Sequence, residues 1–319
     1  MTAIEAMEEY LAILKQYNGR DDKTIAAYKS DIREGIKYLF GTEDCTIEEL
    51  NNINYKDIVK KWFIPLRNKG IKATTINRKR ASFKSYYNSL IAINKVNHNP
   101  VAYVSLAKDE EQFQKKILNE NEIIKLLKTS RDRYINQKDY NASRDNLIIN
   151  ILISTGMRVH EVEKMDIKDI NFATGEFICI GKRKLKRNVA LNEYVLKLYR
   201  EFLFYRNQME GKNDTKNSKD ALFLSRNKMR ITTRSIERLV ENMLKLAGLA
   251  HVTPHSFKHS FVSTMCGKGE KLETIGKITG NKNIQTMYKH YMHLGEEQDI
   301  IKIVNDNPIY DEIKKEMLI

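Results

Sequence analysis

Apolar residues recur at helical spacing through most of the chain. Ile25, Tyr28, Ile32, Ile36 and Leu39 return every three or four positions, with Asp22 available as a cap. Ile76, Phe83, Tyr87 and Leu90 predict a second helix from about Thr74 to Ile91. Asn119 followed by Glu122 is a capping-box signature for a helix over Glu120–Leu127, and a longer helix from about Ser143 breaks at Ser154-Thr155-Gly156. Thr232 caps a helix expected to reach about Ala247, with Ile236, Leu239, Val240, Met243 and Leu244 inward. Thr253-Pro254 opens another, in which Phe257, Phe261 and Met265 recur every fourth position and must face a core. His255, Lys258 and Val262 lie on its second face, so His255 and Lys258 can reach the same anion. Strand pattern is confined to Gly175–Ile180 and its return, Asn188–Leu191.

The pattern therefore predicts a mainly α protein with a small antiparallel β-sheet, in two domains. Residues 1–107 read as an all-helical domain. Charges mix without periodicity in VSLAKDEEQFQKKI, and residues 108–117 are read as a linker. Residues 118–319 hold the remaining helices, the hairpin and a tail that is amphipathic past Asn307-Pro308. The polar run from Met209 to Asp220 reads as an exposed loop.

Composition narrows the class. At 41% hydrophobic the chain can bury two cores, and no apolar run approaches the roughly 20 residues of a membrane helix. MTAIEAMEEY lacks the basic start of a signal peptide. Three widely spaced cysteines support neither a disulfide framework nor a zinc site, which points to a reducing cytoplasm. The net charge of +14 changes the picture most, because such an excess marks a polyanionic partner. Residues 1–107 carry 17 Lys+Arg against 12 Asp+Glu, an excess of 5 that leaves 9 for the rest. Both parts are thus expected to touch nucleic acid. Candidate contacts are Lys29, Arg33 and Lys37 on one helix, and Arg78, Lys79, Arg80 and Lys84 on the next. Arg230, Arg234 and Arg238, taken to run along the outer side of a third, complete the set. Charged stripes of this kind are more often simply solvated.

Four separated motifs carry the chemistry. Thr155-Gly156-Met157-Arg158-Val159-His160-Glu161 puts a planar five-donor fork beside a turn, with Glu161 one turn on to steady it. A Gly followed by a helix start is also expected to leave backbone amides free for an anion. Gly181-Lys182-Arg183-Lys184-Leu185-Lys186-Arg187 is a basic hairpin tip. Pro254-His255-Ser256-Phe257-Lys258-His259-Ser260-Phe261 is followed by Gly269, then Ile278-Thr279-Gly280-Asn281, then Tyr291-Met292-His293.

In order and spacing these resemble the boxes of the phage integrase, or tyrosine recombinase, family. Its patterns read T-G-x-R-x-x-E, then G-K-G-x-K-x-R-x-V-P-L, then P-H-x-L-R-H-T-F, then L-L-G-H and Y-x-H. Lys258 stands where the family has Arg, and Asn281 where it has His or Trp. Residues 1–107 are similar to the family's core-binding domain through Thr24-Ile25-x-x-Tyr28, Thr75-Ile76 and Asn99-Pro100. The resemblance implies an α+β catalytic domain and a clamp around double-stranded DNA at specific recombination sites, with a homotetramer assembled on two of them. It implies Arg158, His255, Lys258 and Asn281 around the scissile phosphate, supported by Glu161 and His259. Lys182 would be the proton donor to the departing 5′-oxygen, with Arg187 and Val189 aligned behind it, although Lys184 or Lys186 serves if the register slips. Tyr291 would be the nucleophile, with Tyr288 in Tyr288-Lys289-His290 as its competitor. Neither metal nor ATP would be needed. A DNA-binding protein on the same scaffold without strand exchange, and a relaxing topoisomerase, are the other readings.

Overall fold

The computed structural model describes residues 1–108, 117–171, 173–181, 186–211 and 218–281. The chain divides into two units, 1–113 and 114–319. The linker expected at 108–117 falls almost entirely outside the described residues.

The first unit is helical. Thr2 caps α1, Ala3–Gln16, through a reciprocal box with Glu5, and α2, Asp22–Phe40, follows. The cap of α2 is Asp21 and not Asp22, which is already helical. The Asp21 carboxylate accepts from the Thr24 amide at 2.8 Å, three positions on, and Asp22 is one residue too late for that reach. Short helices α3, Ile47–Asn51, and α4, Tyr55–Asp57, come next, then a π-helical stretch, Ile58–Phe63, and α5, Ile64–Asn68. The long α6, Ala73–Ala92, closes the unit on the apolar stripe read from sequence: Ile76, Phe83, Tyr87 and Leu90 are all buried. Trp62 packs on Phe63 and Phe83, and its indole reaches Glu34 at 3.4 Å.

In the second unit α7 runs over Glu120–Gln137, ten residues past the expected Leu127. No helix breaker intervenes until Lys138, which takes a left-handed cap. Next is α8, Tyr140–Thr155, buried along nearly its whole length, its apolar run from Leu147 to Ile153 broken only by Asn150, which bonds back to Asn146. It begins three residues before Ser143 because Asp139 caps it on the Ala142 amide. Around α8 pack α7, then α10 (Glu193–Arg206) and α12 (Pro254–Gly267). Between them in sequence lie α9, Val159–Val162, the hairpin strands β1, Glu176–Ile180, and β2, Lys186–Ala190, and α11, Thr233–Leu246. The last described helix, α13, Leu272–Thr279, rests on α12 and β2.

Two local features aim the site. Gly156 ends α8 at φ +59°, and a Cβ there would lie 2.8 Å from the Phe261 ring, so only glycine lets α8 turn this close to α12. The antiparallel register sets Arg187 opposite buried Cys179, and opposed residues share a face, so Arg187 points inward. Among the described residues no helix is long and apolar enough to cross a membrane.

Candidate active site

Arg158 leaves the turn that Gly156 makes and lies half-buried beside the end of α13. Its Nη1 donates to Glu161 Oε1 at 3.4 Å and to the Thr279 carbonyl at 3.5 Å, and its Nη2 to Asn281 Oδ1 at 3.2 Å. Two of the backbone amides at this turn are already taken. Glu161 Oε2 takes the Arg158 amide at 2.8 Å, and Thr155 Oγ1 the Met157 amide at 3.3 Å.

Lys258 projects from α12 into the same corner and donates to the Thr279 carbonyl at 2.7 Å. It is 7% exposed, and burial, then the neighbouring charge of Arg158, pushes its pKa down to about 7 from the usual 10.5. Lysine at this position thus carries a conditional charge, whereas arginine would carry a permanent one. His255, one turn earlier on α12, is exposed at the helix start. Arg158, His255 and Lys258 together line a cleft of about 310 Å³, whose lining also includes Thr233, Glu237 and Glu241. The stripe that faces the core, Phe257, Phe261 and Met265, is buried behind them, as its period required.

Glu161 has no exposed side-chain surface. Burial works to raise its pKa, but the hydrogen bonds and charge of Arg187 outweigh it and hold the carboxylate ionised below its usual range. Asn281 turns its carbonyl oxygen to Arg158, which leaves its amide hydrogens to donate elsewhere. His259 is half-buried one residue beyond Lys258. Lys182 and its alternative Lys184, and also Tyr288, Tyr291 and His293, lie outside the described residues, as does the tail. Lys186 is described and exposed on β2.

The basic stripes are placed as follows. Lys29 pairs with Glu8 at 2.6 Å, Arg33 with Glu43, and Arg78 with buried Asp31, which also holds Lys79 at 3.4 Å. Arg80 donates to the Val104 carbonyl at 2.6 Å, and Lys84 is half-buried. Arg234 and Arg238 are exposed on α11. Arg230 departs from its expected place on the outer side of that helix. It precedes α11, and its guanidinium is drawn in by Asp166 at 2.5 Å and by the carbonyls of Glu163 and Met165 at 3.1 and 3.3 Å. A helical stripe drawn through residue 230 fails because the chain there is extended, in an isolated antiparallel bridge with Leu224, and not helical.

The contacts of Arg187 were not assigned from sequence, where it appeared only as an aligned residue of the hairpin. Its Nη1 and Nη2 bind the two oxygens of Glu161 at 2.8 and 2.9 Å, and its Nε the Ile278 carbonyl at 2.7 Å.

Comparison with known proteins gives a family on this geometry. The family model described as the phage integrase family matches residues 116–298, and that described as the phage integrase N-terminal SAM-like domain matches residues 7–94. Tyrosine recombinase XerC of Lacticaseibacillus casei is 28% identical over 294 residues, 91% of this chain and 94% of that protein. Two solved structures share the fold. One is the Tn1549 transposon integrase in complex with transposon right end DNA. It aligns at TM-score 0.73 and 19% identity over 100% of this chain and 99% of that one. The other is a lambda integrase tetramer bound to a Holliday junction, with TM-score 0.66 and 17% identity over 96% of this chain and 78% of that one.

Proposed function

This chain belongs to the phage integrase family of tyrosine recombinases, and from that premise we infer that it is a site-specific recombinase that cleaves and rejoins DNA through a 3′-phosphotyrosyl intermediate. One observation carries the reading: Arg158, His255 and Lys258, from segments about a hundred residues apart, line one cleft beside Asn281. A phosphodiester resists attack because its charge repels nucleophiles and its alkoxide leaves poorly. Arg158, His255, Lys258 and the Asn281 amide would offset the charge that builds on the non-bridging oxygens. Tyr291 would attack phosphorus, and Lys182 would give a proton to the departing 5′-oxygen. The tyrosyl ester keeps the bond energy, so a second 5′-hydroxyl reverses the step without metal or ATP. The reading extends to a tetramer on two DNA sites, acting in the cytoplasm. The domain roles follow: residues 1–107 clamp DNA, 108–117 link, and 118–319 catalyse.

Lys258 gives a second reading its one support. A cation drawn toward neutrality grips phosphate less firmly, as a DNA-binding protein that has lost cleavage would. A nicked duplex bearing the site recovered from DNA trapped on the protein separates the two. A covalent adduct that survives denaturation and vanishes in Tyr291→Phe supports the recombinase. Binding without any adduct supports the second reading, and relaxation of supercoils without sequence preference would indicate a topoisomerase.

A further inference from the structure

Arg187 joins three stretches of the second unit that are far apart in sequence. Its fork holds both oxygens of Glu161, its Nε holds the Ile278 carbonyl near the end of α13, and its own backbone belongs to β2, paired with β1. Two residues past Ile278, Gly280 turns at φ +63°, and a Cβ there would stand 3.0 Å from Arg187 Nη1. The guanidinium therefore packs directly on the backbone that presents Asn281.

We infer that Arg187 is a positioning residue for the recombination reaction: it occupies Glu161 so that Arg158 stays available to phosphate, and it fixes the end of α13 that carries Asn281. The inference rests on the recombinase reading above. Its argument is one of competition for a buried carboxylate. Glu161 has two oxygens, and Arg187 takes both in the bidentate geometry that favours arginine, while the Arg158 guanidinium keeps only a single contact at 3.4 Å and the Arg158 backbone amide donates to Oε2 at 2.8 Å. Without Arg187 that carboxylate would have Arg158 as its nearest fork and would draw it down, out of the cleft. Lysine at 187 would keep the charge but offer a point donor, unable to hold two oxygens and a carbonyl in one plane.

The same substitution has an electrostatic signature that a purely structural role lacks. Lys258 is faced by Arg158 and Arg187, by Glu161 and by the Cys179 thiol, and His255, Glu237 and Glu241 share its cleft. Arg187 is among the charges that hold Lys258 below its ordinary range, so its removal favours the ammonium and moves the Lys258 titration to higher pH.

The test uses the full chain with Arg187→Met and Arg187→Lys. Adduct formation is followed across pH on the nicked duplex that traps the wild type, and the Lys258 titration is followed by NMR of side-chain-labelled lysine in DNA-free protein. The maximal adduct rate of Arg187→Met is expected to fall about 100-fold, with duplex affinity changed by less than about threefold and the rate profile displaced to higher pH. Arg187→Lys is expected to recover part of the rate. A folded Arg187→Met with wild-type rate and pH profile, whatever its melting temperature, overturns the inference. Should Arg187→Met not fold, Arg187→Lys decides: a rate equal to wild type overturns it. Should the wild type itself give no adduct, the recombinase reading falls. The titration alone then judges the geometry: an upward move of Lys258 supports it, and an unmoved one overturns it.

Discussion

Replacing Lys258 with methionine should make the DNA-free protein more stable while removing its chemistry. The side chain is 7% exposed and its pKa lies at about 7 in place of 10.5. That gap corresponds to roughly 5 kcal/mol against the folded state when the lysine must be charged in both states, at about 1.4 kcal/mol for each tenfold. The folded form binds fewer protons than the unfolded form between those two values, so stability rises as pH rises through that window. The penalty is complete below about pH 7, shrinks above it, and is gone past about pH 10.5. Methionine keeps the length and unbranched shape and carries no proton, and Glu161 remains paired by Arg187. Against the gain stands the lost hydrogen bond to the Thr279 carbonyl, about 1.5–3 kcal/mol for a charged donor, which leaves a net gain of about 2–3.5 kcal/mol near pH 6. Urea unfolding followed by far-UV circular dichroism, near pH 6 and again near pH 10, measures it. The chain's one tryptophan, Trp62, belongs to the first unit, so its fluorescence serves as an internal control that should not move. A wild type more stable than Lys258→Met near pH 6, or a difference that stays constant to pH 10, would refute the reasoning.

Two further substitutions test the scaffold around the site. Gly156→Ala forces an L side chain to φ +59° and drives its Cβ to 2.8 Å from the Phe261 ring; it should cost about 1–3 kcal/mol before the ring shifts. A lowered melting transition of the second unit, with slower adduct formation because Arg158 follows the same turn, is the expected result. On α11, Arg234→Ala and Arg238→Ala should each weaken binding to any duplex and reduce the salt slope of affinity by about 1, read by fluorescence anisotropy across salt concentrations. Arg230→Ala should instead lower stability, because its guanidinium is bound to Asp166 and two carbonyls and not to solvent.

Much of this was legible before any coordinates. The stripe of Phe257, Phe261 and Met265, the caps at Thr232 and Asn119, and the presence of a hairpin all follow from rules that act over one turn or one strand. The convergence of Arg158, His255 and Lys258 on one cleft was readable only through a family resemblance, since nothing in local periodicity links positions 158 and 255. The errors were also local in origin. Asp22 stands next to the true cap, and Arg230 fits a helical stripe at a position that is not helical. The pairing of Arg187 with Glu161 had no signal beyond alignment, because a basic residue in a basic hairpin reads as solvated until its register turns it inward.

By itself the sequence determined where the apolar helical stripes lie and which of their side chains face a core. Those outcomes depend on backbone dihedrals, on hydrogen bonds spanning three or four residues and on burial of apolar stripes. Only the tertiary structure decided the charge of Lys258, the occupancy of Glu161 and the orientation of Asn281. Desolvation and competition between cations for one carboxylate depend on what lies within a few ångströms in space, and the neighbours here come from residues 158, 187, 258 and 279, which no local rule brings together.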